Sequence, residues 1–273
     1  MNYFLCMPPV RFTRPPVTEV VCGITFDLRE LPLRTVHVGQ FWERVRQRFP
    51  NVSEVPPLPA IIELLAAPSS SIPEALLTNL PPLRRSWFSS EDGFDLLQLQ
   101  EDRFLYNWKW ISKDTPYPEY TAIIAEFEKY VAEFDAFAKD ESVGRLVIQQ
   151  FELSYVNHID SAHGYKVGEE TKLFVDHLQS VRSERFLPPP EGINWVTSYN
   201  LPNAEGRLHV AARSGMRTMD GEKLVSLDLT ARGISKDATV GSLRHWFDTA
   251  HDWITLGFVD ITAPHLHEIW GKV

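Results

Sequence analysis

Residues 87 to 110 read WFSSEDGFDLLQLQEDRFLYNWKW, three short runs of alternating residues joined by two tight turns. No other stretch constrains the fold as strongly. Asp92-Gly93 is a two-residue hairpin signal, because a type I′ turn needs positive φ at both central positions. Centring the turn there sets Phe88 opposite Leu97. The weaker turn at Glu101-Asp102 sets Leu99 opposite Phe104 and Leu97 opposite Tyr106. Both registers send the same residues to one apolar face. Two independent turns that agree specify an antiparallel meander. Its other face carries Gln98, Gln100, Arg103, Asn107 and Lys109.

The meander is flanked by segments of clear periodicity. VTEVVCGITFDL (17–28) alternates as a strand, with Val20, Cys22, Ile24 and Phe26 on one face. VGQFWERVRQRF (38–49) has apolar residues at helical spacing and stops at Pro50. AIIELLAA (60–67) reads as a strand, and Pro68 to Pro82 as a loop. In 117–140, Tyr120, Ile123, Ile124, Phe127, Val131 and Phe134 form one stripe of a long helix that packs on the sheet. The order then repeats. LVIQQFELSYVNHI (146–159) is a strand whose odd positions Val147, Phe151, Leu153, Tyr155 and Ile159 are apolar. ETKLFVDHLQSV (170–181) is a helix. LPPPEG breaks the chain. INWVTSYNL, GRLHVAARSGM and KLVSLDLTARG are strands. Asp220-Gly221 sets Ala212 opposite Leu229, Val210 opposite Ala231, Arg213 opposite Asp228 and His209 opposite Arg232. A last helix follows, capped by Ser242, with Leu243, Trp246, Phe247, Ala250 and Ile254 as its stripe.

These elements predict an α+β protein of two β-α-β3-α pseudo-repeats, residues 17–143 and 144–273, after a Pro-rich arm at 1–16. The two halves build one curved antiparallel sheet with helices on one face, as in a TATA-binding-protein-like or helix-grip-like arrangement. The other face is polar and open to water, which explains the alternation.

Composition narrows the function. The chain has 273 residues, of which 44% are hydrophobic and 23% charged, enough for a large core in one or two domains. A formal net charge of −9 disfavours nucleic acid as a partner. Cys6 and Cys22 are too few for a disulfide scaffold and read as reduced. The N-terminus has no secretory pattern and no apolar run is long enough to cross a membrane, so the expectation is a cytoplasmic protein without a membrane partner.

PPVTEVVCGITF, LPPLRRSWFSSEDGFDLLQLQEDRFLYNWK and YPEY resemble the motifs of a sporadically distributed bacterial family of uncharacterised proteins. The W-F-S-x-D-G…Q-L-Q-x-D-R-F…N-W run carries most of the likeness. The resemblance implies an accessory gene, mobile or defence-linked, and brings no activity or cofactor with it.

Signatures of P-loops, dinucleotide folds, zinc proteases, nucleophile elbows and kinases do not occur, and no cofactor is called for. Two clusters have metal-capable spacing. His245, Asp248 and Asp252 share a helical face beside His251, and His265, His267 and Glu268 lie near the C-terminus in what reads as a strand. A solvated helix face and an exposed terminal segment docked by Trp270 account for them without a metal.

The remaining constellation is the polar sheet face. The first half offers Gln98, Gln100, Arg103, Asn107 and Lys109. The second offers Glu152, Ser154, His158, His209, Arg213, Asp228 and Arg232. A solvated face with cross-strand pairs explains them structurally. As a surface of amides and guanidinium groups, it suits recognition of a protein partner or a second copy of the chain, with Trp87 and Trp195 as anchors. The leading expectation is a non-enzymatic binding or adaptor protein. Alternatives are a small-ligand or nucleotide binder with a cavity between sheet and helix, hydrolytic or not, and a nucleic-acid binder acting through the sheet face.

Overall fold

The computed structural model describes residues 10–29, 31–59, 61–63, 83–112, 117–175, 191–235 and 238–273. Its centre is a nine-stranded antiparallel sheet. The strands are β1 (Val17–Leu28), β2 (Asn51–Val55), β3 (Arg85–Ser89), β4 (Asp95–Gln100), β5 (Arg103–Lys109), β6 (Leu146–Ile159), β7 (Asn194–Asn200), β8 (Gly206–Met216) and β9 (Lys223–Gly233). Their order is β2-β3-β4-β5-β1-β6-β9-β8-β7. The helices are α1 (Thr35–Val45), α2 (Tyr120–Asp140), α3 (Leu243–Ile261) and α4 (Pro264–Ile269). None of them is long and apolar enough to cross a membrane.

The core fills the space between the apolar sheet face and helices α1, α2 and α3. Val20, Cys22, Ile24 and Phe26 of β1 are buried there, as expected of one face of an alternating strand. Phe104 of β5 stacks on Phe134 of α2 at 5.3 Å, and Phe41 of α1 meets the edge of Phe134 at the same centroid distance. Phe127 and Phe247 join α2 to α3 at 5.2 Å. Aromatic pairs at these separations add to the burial of their large surfaces. Burial also pushes the Cys22 thiol well above its ordinary range, so it stays protonated.

The meander has the expected register, with Phe88 opposite Leu97, Leu99 opposite Phe104 and Leu97 opposite Tyr106. Its first turn is built differently. Only Gly93 has positive φ, at +76°. The Asp92 carboxylate instead accepts from the Ser90 hydroxyl (2.6 Å) and the Phe94 N–H (3.1 Å), which fixes the loop locally.

The β8–β9 hairpin departs from expectation by two residues. Ala212 lies opposite Leu227, Arg213 opposite Ser226 and His209 opposite Thr230. The chain reverses over Arg217 to Glu222, closed by Arg217 N–H to Glu222 O at 2.8 Å, and only Gly221 takes positive φ there. A two-residue shift keeps every side chain on its expected face.

Other expectations are corrected. α1 stops at Val45; a turn then buries Phe49, whose carbonyl accepts from Trp42 Nε1 at 3.0 Å. The edge strand β2 was not expected. Residues 61–63 are not strand, and the rest of 60–67 and the loop to Pro82 lie outside the described residues. Glu170–Leu173 is a 3-10 turn, after which Phe174 bridges to Thr262; the remainder of the expected helix to 181, and most of LPPPEG, also lie outside them. In β6 a bulge between the Thr25–Gln150 and Phe26–Ile148 pairs reverses the alternation. Ile148 rather than Val147 therefore enters the core. Of the N-terminal arm, residues 10–16 are clasped to the C-terminus: Thr13 N–H donates to Gly271 O at 3.0 Å and Val273 N–H to Arg11 O at 2.9 Å. Cys6 lies outside the described residues.

Candidate functional site

The polar sheet face is not open to water over its first half. Gln98, Gln100, Arg103 and Asn107 are between 3% and 5% exposed. Buried amides need partners, and two rows supply them. In the first row Trp87 Nε1 donates to Gln98 (3.0 Å), Gln98 to Asn107 (2.7 Å) and Asn107 to Glu19 (2.6 Å). Lys109 ends the row, 3.8 Å from Glu19 and 4.8 Å above the Trp87 ring.

The second row is covered by the chain itself. Leu58, Pro59 and residues 61–63 lie over the sheet as a strap. Gln100 accepts from the Leu58 N–H at 3.0 Å and donates to the Leu58 carbonyl at 3.2 Å. Gln150 of β6 accepts from the Glu63 N–H at 2.7 Å and donates to Ile61 O at 2.9 Å. Each glutamine thus satisfies one main-chain donor and one acceptor of an extended segment. Arg103 adds a long contact to Pro59 O, 3.4 Å. At the far end the Glu63 carboxylate is ion-paired to Arg207 and lies 2.8 Å from His209 Nε2. His209 is oriented through Nδ1, 2.9 Å from the Ser198 hydroxyl. At the near end, Arg85 sits beside Arg103. Burial first, and then the Arg103 charge, lower the pKa of Arg85. The Nε groups of both arginines are buried without a hydrogen-bond partner among the described residues. A carboxylate is therefore held between Arg207 and His209 at one end of the strap, and two arginines with no ion pair among the described residues mark the other.

The other expected residues sit apart from the strap. Arg232 is engaged by Glu152 at 2.5 Å, and Ser154 by Thr230 at 2.8 Å. Arg213 pairs with Asp228 at 3.2 Å across the shifted register and is half exposed. Trp195 lies on the helix side, against Phe174 at 5.3 Å, so it is no anchor for the polar face.

The metal-capable clusters do not assemble. No group of three His, Cys, Asp or Glu comes together as a metal site among the described residues. His265 and His267 belong to helix α4, not a strand. His267 is buried, and its Nε2 meets the Thr262 hydroxyl at 2.8 Å. His245 is exposed, and Asp248 accepts from the Tyr120 hydroxyl at 2.9 Å. Asp248, Asp252 and His251 instead border a cavity between α3, the start of α2 and the N-terminal segment.

Gln150, Arg207 and Glu63 were missed by sequence reading. Gln150 shares the polar parity of Glu152 and Ser154 in β6, and nothing in the local pattern distinguishes it as a main-chain clamp. Glu63 lies in a run that reads as an apolar strand. The one available signal was that Glu63 is the only charge in that run. No family model matches the chain, and no curated protein or solved structure matches it.

Proposed function

We propose that the chain is a protein-binding module that takes an extended, acidic segment of a partner across the polar face of its sheet. The observation that carries this reading is the paired grip of Gln100 and Gln150 on main-chain groups of Leu58, Ile61 and Glu63. Recognition of main-chain N–H and C=O by fixed amides is indifferent to side-chain identity. Arg207 and His209 add a demand for a carboxylate, and Arg85 and Arg103 favour a second acid at the other end. The strap is the chain's own occupant of a groove that a partner segment would fill in the same way. The partner is of the accessory bacterial kind that the sequence resemblance implies.

The same reading extends to the two halves. Strand order supports a pseudo-repeat: β3-β4-β5-β1 on one side and β7-β8-β9-β6 on the other meet at the β1–β6 pair. A TATA-binding-protein-like saddle has this plan, with halves 17–143 and 144–273. The plan is imperfect, since β2 has no counterpart in the second half. Gln100 comes from one half and Gln150 from the other, so the groove needs both.

The test replaces residues 56–63 by a Gly/Ser segment of equal length and titrates a fluorescent peptide of sequence PPLPAIIE. Saturable binding to this variant, weakened by Glu→Gln in the peptide and by Arg207→Ala in the protein, is expected. The unmodified protein should bind much more weakly. A folded variant that does not bind the peptide refutes the reading.

A further inference from the structure

The cavity bordered by Asp248, Asp252 and His251 lies on the helix side of the sheet and is independent of the strap. Its volume is about 580 Å³, inside the roughly 300–1,000 Å³ range of small-molecule sites. Four aromatic rings, Phe12, Tyr117, Tyr120 and Tyr155, stand in its walls among aliphatic and polar side chains. Tyr120 stacks flat on His251, with centroids 3.9 Å apart and planes 3° from parallel. The Tyr155 hydroxyl lies 3.1 Å from His251 Nδ1. These contacts hold the rings in place before any ligand arrives.

Three carboxylates, Glu119, Asp248 and Asp252, line the cavity against one cation, Arg11. Asp248 and Asp252 stand on successive turns of α3. Asp248 is contacted by a neutral phenol. The Asp252 carboxylate has no hydrogen bond or ion pair among the described residues. Arg11 is engaged by Glu119 at 3.3 Å, and Arg244 by both carboxylate oxygens of Glu128, one of them at 2.7 Å. Burial lowers the His251 pKa to about 4, so the imidazole brings no positive charge at neutral pH. Burial and then the neighbouring Asp248 charge raise the Asp252 pKa, the direction expected of adjacent carboxylates.

We propose that this cavity binds an organic ammonium ion with an apolar body. Asp248 and Asp252 take the charge, while the faces of Tyr120 and Tyr155 flank the cation and its apolar stem. Aromatic faces attract cations, and the carboxylates repel anions of the same shape.

Isothermal titration of the full chain with three probes of one shape tests this: phenethylammonium, 2-phenylethanol and 3-phenylpropionate. Saturable binding of phenethylammonium is expected, about tenfold or more tighter than the alcohol, as one charge-assisted contact would give. Phenylpropionate should not bind. Asp252→Asn should weaken the preference for the amine without changing the melting temperature, Asp248→Asn with Asp252→Asn should erase it, and Asp252→Lys should turn it toward phenylpropionate. Equal binding of all three probes, preference for the anion in the unmodified protein, or no saturation by phenethylammonium at millimolar concentration would each overturn the proposal.

Discussion

Glu63→Ala is expected to lift the strap from a sheet that stays folded. The four hydrogen bonds from Gln100 and Gln150 contribute about 1 kcal/mol each. Ordering residues 58–63 costs about 1–2 kcal/mol per residue, reduced where Pro59 already restricts the backbone. Apolar burial offsets little of this, since Ile61 and Ile62 remain 36% and 40% exposed. The Glu63 carboxylate, at about 1.5–3 kcal/mol per charge-assisted bond, therefore decides whether the strap stays docked. Without it Arg207 faces a choice. If the strap cannot move, loss of one member of this buried ion pair costs about 3–5 kcal/mol of global stability. If it can move, water reaches Arg207 and the loss is limited to the docking free energy. Hydrogen exchange separates the two outcomes. The Leu58 amide should exchange at least about tenfold faster in the variant, a local opening, while the amides of Val20 to Ile24 in β1 keep their protection. Urea unfolding should fall by less than about 3 kcal/mol. Unchanged exchange at Leu58 together with a larger global loss would refute the displaceable strap and weaken the peptide-groove reading with it.

Three further outcomes follow from the packing and the charges. Phe134→Ala removes a ring that touches Phe26, Phe41 and Phe104 and should cost about 3–5 kcal/mol in urea unfolding. Gly233→Ala should cost about 1–3 kcal/mol or more, because an added Cβ would lie 1.9 Å from Glu205 O and 2.5 Å from Gly206 Cα, both backbone atoms; Gly39→Ala, with open space around it, is the control. Asp160 is raised by burial, but hydrogen bonds and charge from His163 and Arg217 outweigh this and hold its pKa at about 2. Its folded pKa lies below the unfolded value near 3.9, so its contribution is full above pH 4 and disappears as pH falls toward 2. The stability gap between the protein and Asp160→Asn should narrow over that window, and a gap independent of pH would show that the carboxylate is not held this way.

The sequence by itself determined the meander, the central strands β1 and β6 and the burial stripes of α2 and α3. These rest on local periodicity and turn chemistry, which a single segment expresses without its neighbours. Phe88 finds Leu97, and Leu99 finds Phe104, because two adjacent turns impose one alternation. Where local signals are degenerate, the tertiary structure decided. Asp220-Gly221 looks like a two-residue turn, yet the chain closes a longer loop there and β8 slips by two residues. The β6 bulge is invisible in a pattern of period two, and it turns Ile148 rather than Val147 into the core. The polar face read as solvated because polar alternation is the same whether water or a backbone satisfies the side chains. Only the fold laid Leu58, Pro59, Ile61 and Glu63, more than thirty residues from their partners in sequence, across that face. It also gathered Tyr120, Tyr155, His251 and Asp248 from three separate elements around one cavity. Long-range juxtaposition of this kind leaves no periodic trace in the chain, because it depends on which elements pack together rather than on the pattern within any one of them.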